Sequence, residues 1–348
     1  MVRAPLRLSF LGGGSDIPAF CSEHTGRVLS TTISPSVFVC LLPHFQGGIR
    51  LSYSTTENVH KPSEVQHELI RQVLLRTGVS DVEMATIADL PGRGLGLGSS
   101  AATTVGALLA CVEHKQRRWT PDALARAASA VEIEDLGRAV GYQDQWAVAY
   151  GGLAVYEFRP NGEITVDRPR VSARTRRELE SWCALYWLEC TRDADGILQH
   201  QSRGVRATQS YLSQLAQLAE DGAVTLEAGN LSEFCGFMRE AWEAKKALAD
   251  GISNPEIDAL CRKAERAGAA AWKVCGAGGG GSLLVMRPPK RAAAVSAALV
   301  GCRAIPFRFE PEGAHVVYNG GWRLPPTRSR GGRTYPRWRP DLARDLRV

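Results

Sequence analysis

The chain has 348 residues, 44% of them hydrophobic and 22% charged, the composition of a soluble globular protein with room for two domains. No apolar run reaches the roughly 18 residues of a membrane span, and MVRAPLRLSF lacks the apolar core and cleavage site of a secretory leader, so neither is expected. The formal charge of +6 sits wholly in residues 323–348, with eight arginines against two aspartates; the body is neutral, which excludes a general basic field for nucleic acid.

Residues 4–11 (APLRLSFL) alternate and predict a strand; residues 28–42, rich in Val, Thr and Ile, predict one or two more. Residues 64–77 place Val65, Leu69, Val73 and Leu74 on one helical face, with Gly78 as the stop. VEMATIADL predicts a strand that leads into GRGLGLGSSAATT, residues 92–104. Residues 99–115 are small and apolar without a breaker, so a buried helix is expected there. Thr120 before Pro121 pairs an N-cap hydroxyl with a proline at the first helical position, and that helix should run to about Leu136. GGLAVYEF and CALYWLEC predict strands, and residues 175–250 are mostly helical in pattern. Then follow helix 255–268, strand WKVC, a second glycine run, strand SLLVM, helix 289–299 and a closing pair, AIPFRFE and HVVYN. This β-α-β-β-α-β order predicts a ferredoxin-like second domain in an α+β protein. The expected boundaries are 1–165, 166–321 and an Arg- and Pro-rich tail, 322–348, with little to bury and loose order.

Nine cysteines are scattered without a C-x-x-C pair, against a disulfide framework or zinc knuckle and in keeping with a reducing cytoplasm. The glycine loops carry more. The pattern G-x-x-x-x-G-K-[ST] is absent, since the chain has no Gly-Lys pair. G-x-G-x-x-G occurs at Gly276, Gly278 and Gly281, but the SLLVM after it reads as a strand where dinucleotide binding needs a helix. The loop at 92–104 is different, because a helix follows it. A helix N-terminus offers unpaired N–H groups and partial positive charge, and glycines let that backbone approach a phosphate closely. Lysine is then dispensable, because amides and a metal ion supply the positive charge. Ser99 and Ser100 stand where the helix begins, and a hydroxyl there can cap it or ligate Mg²⁺. A carboxylate is also needed; Glu132, Glu134 and Asp135 are the candidates on the next helix. Asp144, within GYQDQWAVAYGG, is either a cap or turn residue or a catalytic base.

Three segments in order, RAPLRLSFLGGGSD, GLGLGSSAATT and KVCGAGGGGSLLV, resemble the GHMP kinases over about residues 3–320. GYQDQWAVAYGG, TRDADGILQHQ and EAWEAKKALADGISNPEID resemble the branch that phosphorylates D-glycero-D-manno-heptose 7-phosphate. The resemblance implies an N-terminal ribosomal-protein-S5-domain-2-like domain and a C-terminal ferredoxin-like one. It also implies a cytoplasmic enzyme using ATP and Mg²⁺ on a sugar phosphate, with no nucleic-acid or membrane partner; a homodimer is left open.

By the same resemblance, Gly94, Gly96, Gly98, Ser99, Ser100 and Ala101 would surround the ATP phosphates, and Ser100 with Glu132 would hold Mg²⁺. Glu132 is favoured over Glu134 by its distance before Asp144 in the chain. Asp144 would face the acceptor hydroxyl with Arg7 beside it, either as a base or to orient that hydroxyl. Gly13 and Gly14 stand where galactokinases have Glu and His, leaving more space for the sugar, and Asp16 would bind one of its hydroxyls. Gly276 to Gly281 would shape the floor between the domains, with Gly278 and Gly279 at the substrate. Arg192, Arg203, Lys245 and Lys246 are the cations available to a 7-phosphate, Arg192 and Lys245 foremost. Ala271-Trp272 before Lys273 and Ser282 after the glycine run depart from the close branch and bear on the exact sugar.

Overall fold

A computed structural model describes residues 1–91, 94–188 and 194–321; Arg192, Cys190 and the expected tail lie outside the described residues, as does the side chain of Arg203. Two sheets organise the chain. The spine of the first is one long strand, Gly26–Pro43, whose burial pattern shows why it persists for 18 residues: Val28, Leu29, Ile33, Val37 and Val39 are all buried. Along one edge it pairs antiparallel with Val2–Leu11. A register shift between Pro5 and Leu6 accommodates the proline, which has no N–H for the ladder. Along the other edge three strands succeed one another: Ala154–Phe158 against Gly26–Ser30, Phe309–Glu310 against Thr32–Ile33, and Val82–Ala88 against Val37–Pro43. Ile49–Ser52 adds parallel to Val82–Ala88, and His315–Val316 adds to the start of Val2–Leu11.

The Ser99–His114 helix packs on this sheet, and Gly106 sets how closely: a Cβ there would lie 3.0 Å from Val39 and 3.3 Å from Ala4. The Pro121–Ala130 helix is capped by the Thr120 hydroxyl, as the sequence predicts, but its continuation Val131–Asp135 is a π turn. One extra residue in that turn re-aims its side chains, which matters for Glu132.

The second sheet has the spatial order Arg303–Ile305, Cys183–Leu188, Gly281–Met286, Ala271–Val274, all neighbours antiparallel. Numbered along the chain this is 4-1-3-2, the ferredoxin-like arrangement expected. The helices Val205–Glu227, Leu231–Lys246 and Pro255–Arg266 connect its first two strands.

Four features depart from the sequence-based reading. The closing pair does not pair with itself: Arg303–Ile305 joins the second sheet, while Phe309–Glu310 and His315–Val316 return to the first. The predicted helix at 64–77 is a short 3₁₀ turn, Pro62–Glu64, followed by Glu68–Thr77, which ends at Gly78 in the left-handed conformation. The hairpin Ile49–Ser52 with Thr56–Val59 was not expected. Gln143–Tyr150, to which the sequence assigned no element, is a helix that precedes the expected strand, Ala154–Phe158. Among the described residues eight cysteines are free thiols, and no helix is long and apolar enough to cross a membrane.

Candidate active site

The two glycine segments meet at the junction of the sheets. Gly94, Gly96 and Gly98 all have positive φ (+82°, +71° and +76°), so the loop coils tightly before the Ser99–His114 helix. Gly98 is the N-cap and supplies no side-chain acceptor, which leaves the helix end to a ligand. A Cβ on Gly98 would stand 3.0 Å from Arg7 Cγ and 3.5 Å from Asp144 Oδ2, so glycine keeps the loop open beside those groups. From the other side, a Cβ on Gly276 would lie 2.7 Å from Gly96 Cα, and one on Gly281 would lie 2.5 Å from the Gly94 carbonyl. Backbone therefore packs on backbone across the junction. A cleft of ≈ 1090 Å³ opens here, lined by Arg7, Ser100, Glu132, Asp144, Lys245 and Gly276 among others. It is at the upper end of small-molecule sites, with room for a nucleotide beside a sugar.

Arg7 comes from the first strand and is 3% exposed. Its Nε and Nη2 donate to the two oxygens of Asp144 at 2.7 and 2.9 Å, a bidentate fork, and its Nη1 donates to the Gly96 carbonyl at 2.6 Å. Burial by itself would lower the Arg7 pKa; the adjoining Asp144 carboxylate outweighs it, and the guanidinium is held above its ordinary value. Asp144 occupies the first turn of the Gln143–Tyr150 helix, with its side chain 27% exposed to the cleft. The carboxylate is thus fixed in orientation and open to the cleft.

The π turn brings Glu132 to the helix N-terminus. Ser100 Oγ donates to Glu132 Oε2 at 2.5 Å, and Gln145 Nε2 donates to Oε1 at 2.9 Å. Glu132 is 1% exposed. Burial raises its pKa, opposed by the Ser100 and Gln145 hydrogen bonds and by the Arg138 charge. Glu134 and Asp135 point away, to Arg76. Among the described residues no cluster of three or more His, Cys, Asp or Glu side chains could hold a metal by itself. One buried carboxylate and one hydroxyl, both hard oxygen donors at a phosphate-type loop, nevertheless suit Mg²⁺, which usually takes one or two carboxylates and completes its shell with phosphate and water.

Asp16, expected to bind the sugar, is buried, accepting from the backbone N–H of Gly14 at 2.9 Å and from the N–H and side-chain amide of Gln143, each at 3.1 Å. Desolvation raises its pKa against those bonds. Gly14 lines the cleft with φ of +114°; Gly13 lies behind it, a Cβ there reaching Ser9 Oγ at 3.4 Å and Gln143 Nε2 at 3.5 Å. Lys245 is 6% exposed and donates to the Gly276 carbonyl at 2.7 Å. Lys246 instead pairs with Glu243. In the second glycine run Gly276 and Ala277 line the cleft, whereas Gly278 and Gly279 pack on Ile252, with Gly279 N–H donating to its carbonyl at 2.8 Å.

Sequence reasoning passed over Gln145, Gln143, Arg138 and Lys273. The two glutamines flank Asp144, and a run of side-chain amides before apolar residues was a usable signal. Arg138 carried none, because its place depends on the loop that follows the π turn. Lys273 is buried with Nζ donating to the Phe10 carbonyl at 3.0 Å, tying the second sheet to the first.

The sequence patterns of the GHMP kinases N terminal domain and the GHMP kinases C terminal domain match residues 65–152 and 223–302. The chain is 29% identical over 296 residues to a D-glycero-alpha-D-manno-heptose 7-phosphate kinase of Campylobacter jejuni, covering 79% of this chain and 86% of that one. It is 26% identical over 305 residues to a bifunctional fucokinase/GDP-fucose pyrophosphorylase of Arabidopsis thaliana, 80% of this chain but 29% of that longer protein. Its fold superposes on a D-glycero-D-manno-heptose 1-phosphate kinase from Bacteroides thetaiotaomicron with a TM-score of 0.74 at 27% identity, covering 92% of this chain and 100% of the other.

Proposed function

Because the chain belongs to the GHMP kinases and carries both domains of that family, we propose that it transfers the γ-phosphoryl group of ATP to the anomeric C1 hydroxyl of D-glycero-D-manno-heptose 7-phosphate. The product is the 1,7-bisphosphate, a precursor of nucleotide-activated heptose. The observation that carries this reading is the convergence at one helix N-terminus of the Arg7–Asp144 fork and the Ser100–Glu132 pair.

Phosphoryl transfer asks mainly for alignment and charge stabilisation. The loop amides at Gly98, Ser99, Ser100 and Ala101 receive the phosphates, with the partial positive charge of the helix end behind them. Asp144 accepts a hydrogen bond from the acceptor hydroxyl and sets its line of attack, while Arg7 keeps the carboxylate from turning away. The proton passes to Asp144 late, as the O–P bond forms, because a carboxylate forked to a guanidinium is a weak base toward a free hydroxyl. When bound at Ser100 and Glu132, Mg²⁺ supplies charge neutralisation for the phosphates. Asp16, Gly14 and Lys245 bound the acceptor side, where Lys245 offers its charge to the sugar's phosphate and Arg192 is a second candidate.

The relatives differ in the acceptor that their names give, so acceptor choice is the test. With ATP and Mg²⁺, heptose 7-phosphate is expected to be turned over in preference to heptose 1-phosphate, L-fucose and D-galactose. Turnover confined to the free sugars would favour instead the fucose-type reading that the Arabidopsis relative supports. Asp144→Asn is expected to lower kcat by about 10²–10⁴-fold with nucleotide affinity retained. A mutant as fast as the parent removes the role given to Asp144, whereas a parent that turns over none of these sugars leaves a non-catalytic sugar-phosphate sensor on the same fold as the better account.

A further inference from the structure

The two atoms assigned to the metal are already engaged by a cation of the protein. Arg138 Nη1 donates to Ser100 Oγ at 3.2 Å and lies 3.5 Å from Glu132 Oε2. Its Nη2 holds Glu68 at 3.3 Å, on the far wall of the cleft. The loop that carries it is anchored by the Arg138 N–H to the Glu132 carbonyl at 3.0 Å, while the residue before it, Gly137, has φ of +60° and open space around it. The guanidinium is one-third exposed, so the main chain is fixed and the side chain has somewhere to go.

We propose that Arg138 stands in for the divalent ion in the nucleotide-free protein and, once displaced by it, turns its guanidinium onto the phosphates of the bound nucleotide. The proposal rests on the reading of Ser100 and Glu132 as the metal's ligands. Arg138 occupies one of the two lone pairs of Ser100 Oγ from the side of Glu132 Oε2, and two cations cannot share one carboxylate edge at this range without strong repulsion. Without Arg138, the Glu132 carboxylate would be buried with no opposite charge, which is costly when no metal is bound. A displaced Arg138 keeps Glu68 as a partner and remains beside the phosphate loop, where a guanidinium pairs with phosphate oxygens bidentately. Arg138 thus exchanges one anion for another as the site loads.

The test uses the full chain without acceptor. Free Mn²⁺ binding, read by electron paramagnetic resonance in the absence of nucleotide, is expected to tighten about tenfold in Arg138→Ala, because a competing cation is gone. Binding of ATP in EDTA, read by calorimetry, is expected to weaken about tenfold in the same variant. Arg138→Lys should stay close to the parent in Mn²⁺ binding. Arg138→Gln serves the same readouts should the alanine variant misfold by circular dichroism. Unchanged or weaker Mn²⁺ binding in Arg138→Ala, or unchanged metal-free ATP binding, overturns the proposal. Glu132→Gln separates the premise: Mn²⁺ binding that survives it overturns the metal assignment itself, whereas its loss alongside an inert Arg138→Ala overturns the role of Arg138 alone.

Discussion

Arg7 serves two clients with one guanidinium, the Asp144 carboxylate and the Gly96 carbonyl, so the orientation of that carboxylate and the position of the loop are set together. Lysine keeps the charge but cannot supply three donors in a fixed fork. Arg7→Lys is therefore expected to lower kcat at least about tenfold and also to raise the KM for ATP; steady-state kinetics that moved one constant alone would separate the two roles. Lys273 makes a different prediction. Burial, helped by the nearby charge of Lys245, lowers its pKa to about 7. The unfolded chain thus binds this proton more tightly than the folded one between about pH 7 and the ordinary lysine value of 10.5. Stability rises with pH wherever the unfolded state holds more protons, so it should climb as pH increases through that window, with the full penalty present below it. Urea unfolding across the window should show the climb in the parent and a flatter profile in Lys273→Met.

Among elements, the meeting of the two glycine loops gives a contrasted pair. Gly276→Ala puts a methyl against the Gly96 backbone at 2.7 Å, where nothing can yield, and adds a positive φ; the expected loss is about 3 kcal/mol of stability with weakened ATP binding. Gly94→Ala meets nothing within 4 Å and bears only its φ of +82°, an expected cost of about 1 kcal/mol. Thermal unfolding of both variants reads the difference. The same elements show what the sequence could disclose. Glycines followed by an unbroken small-apolar helix, and Thr-Pro at a helix start, are local signals, and both elements stand where they were expected. The Gln143–Tyr150 helix went unassigned because Trp146, Ala147, Val148 and Ala149 are buried consecutively, a pattern without helical periodicity. The π turn depends on tertiary packing, so the sequence could mark Glu132 as a candidate but could not show it bonded to Ser100 and Gln145. Ile49–Ser52 and Thr56–Val59 are each four residues long, too short for periodicity to register.

At the scale of the molecule, the chain leaves the first sheet, builds the second, and comes back. Phe309–Glu310 fills the place on the Gly26–Pro43 strand between Ala154–Phe158 and Val82–Ala88, and His315–Val316 covers the outer edge of Val2–Leu11. A chain ended after residue 321 keeps every described strand and is expected to fold and retain kinase activity. One ended after residue 307 leaves that place empty and the edge bare, and is expected to aggregate, as light scattering would show. The returning strands also govern how the protein can be made. A ribosome releases the N-terminal strands first, yet their sheet keeps an open seam until residues beyond 300 emerge. A nascent chain stalled midway therefore holds that seam exposed to chaperones.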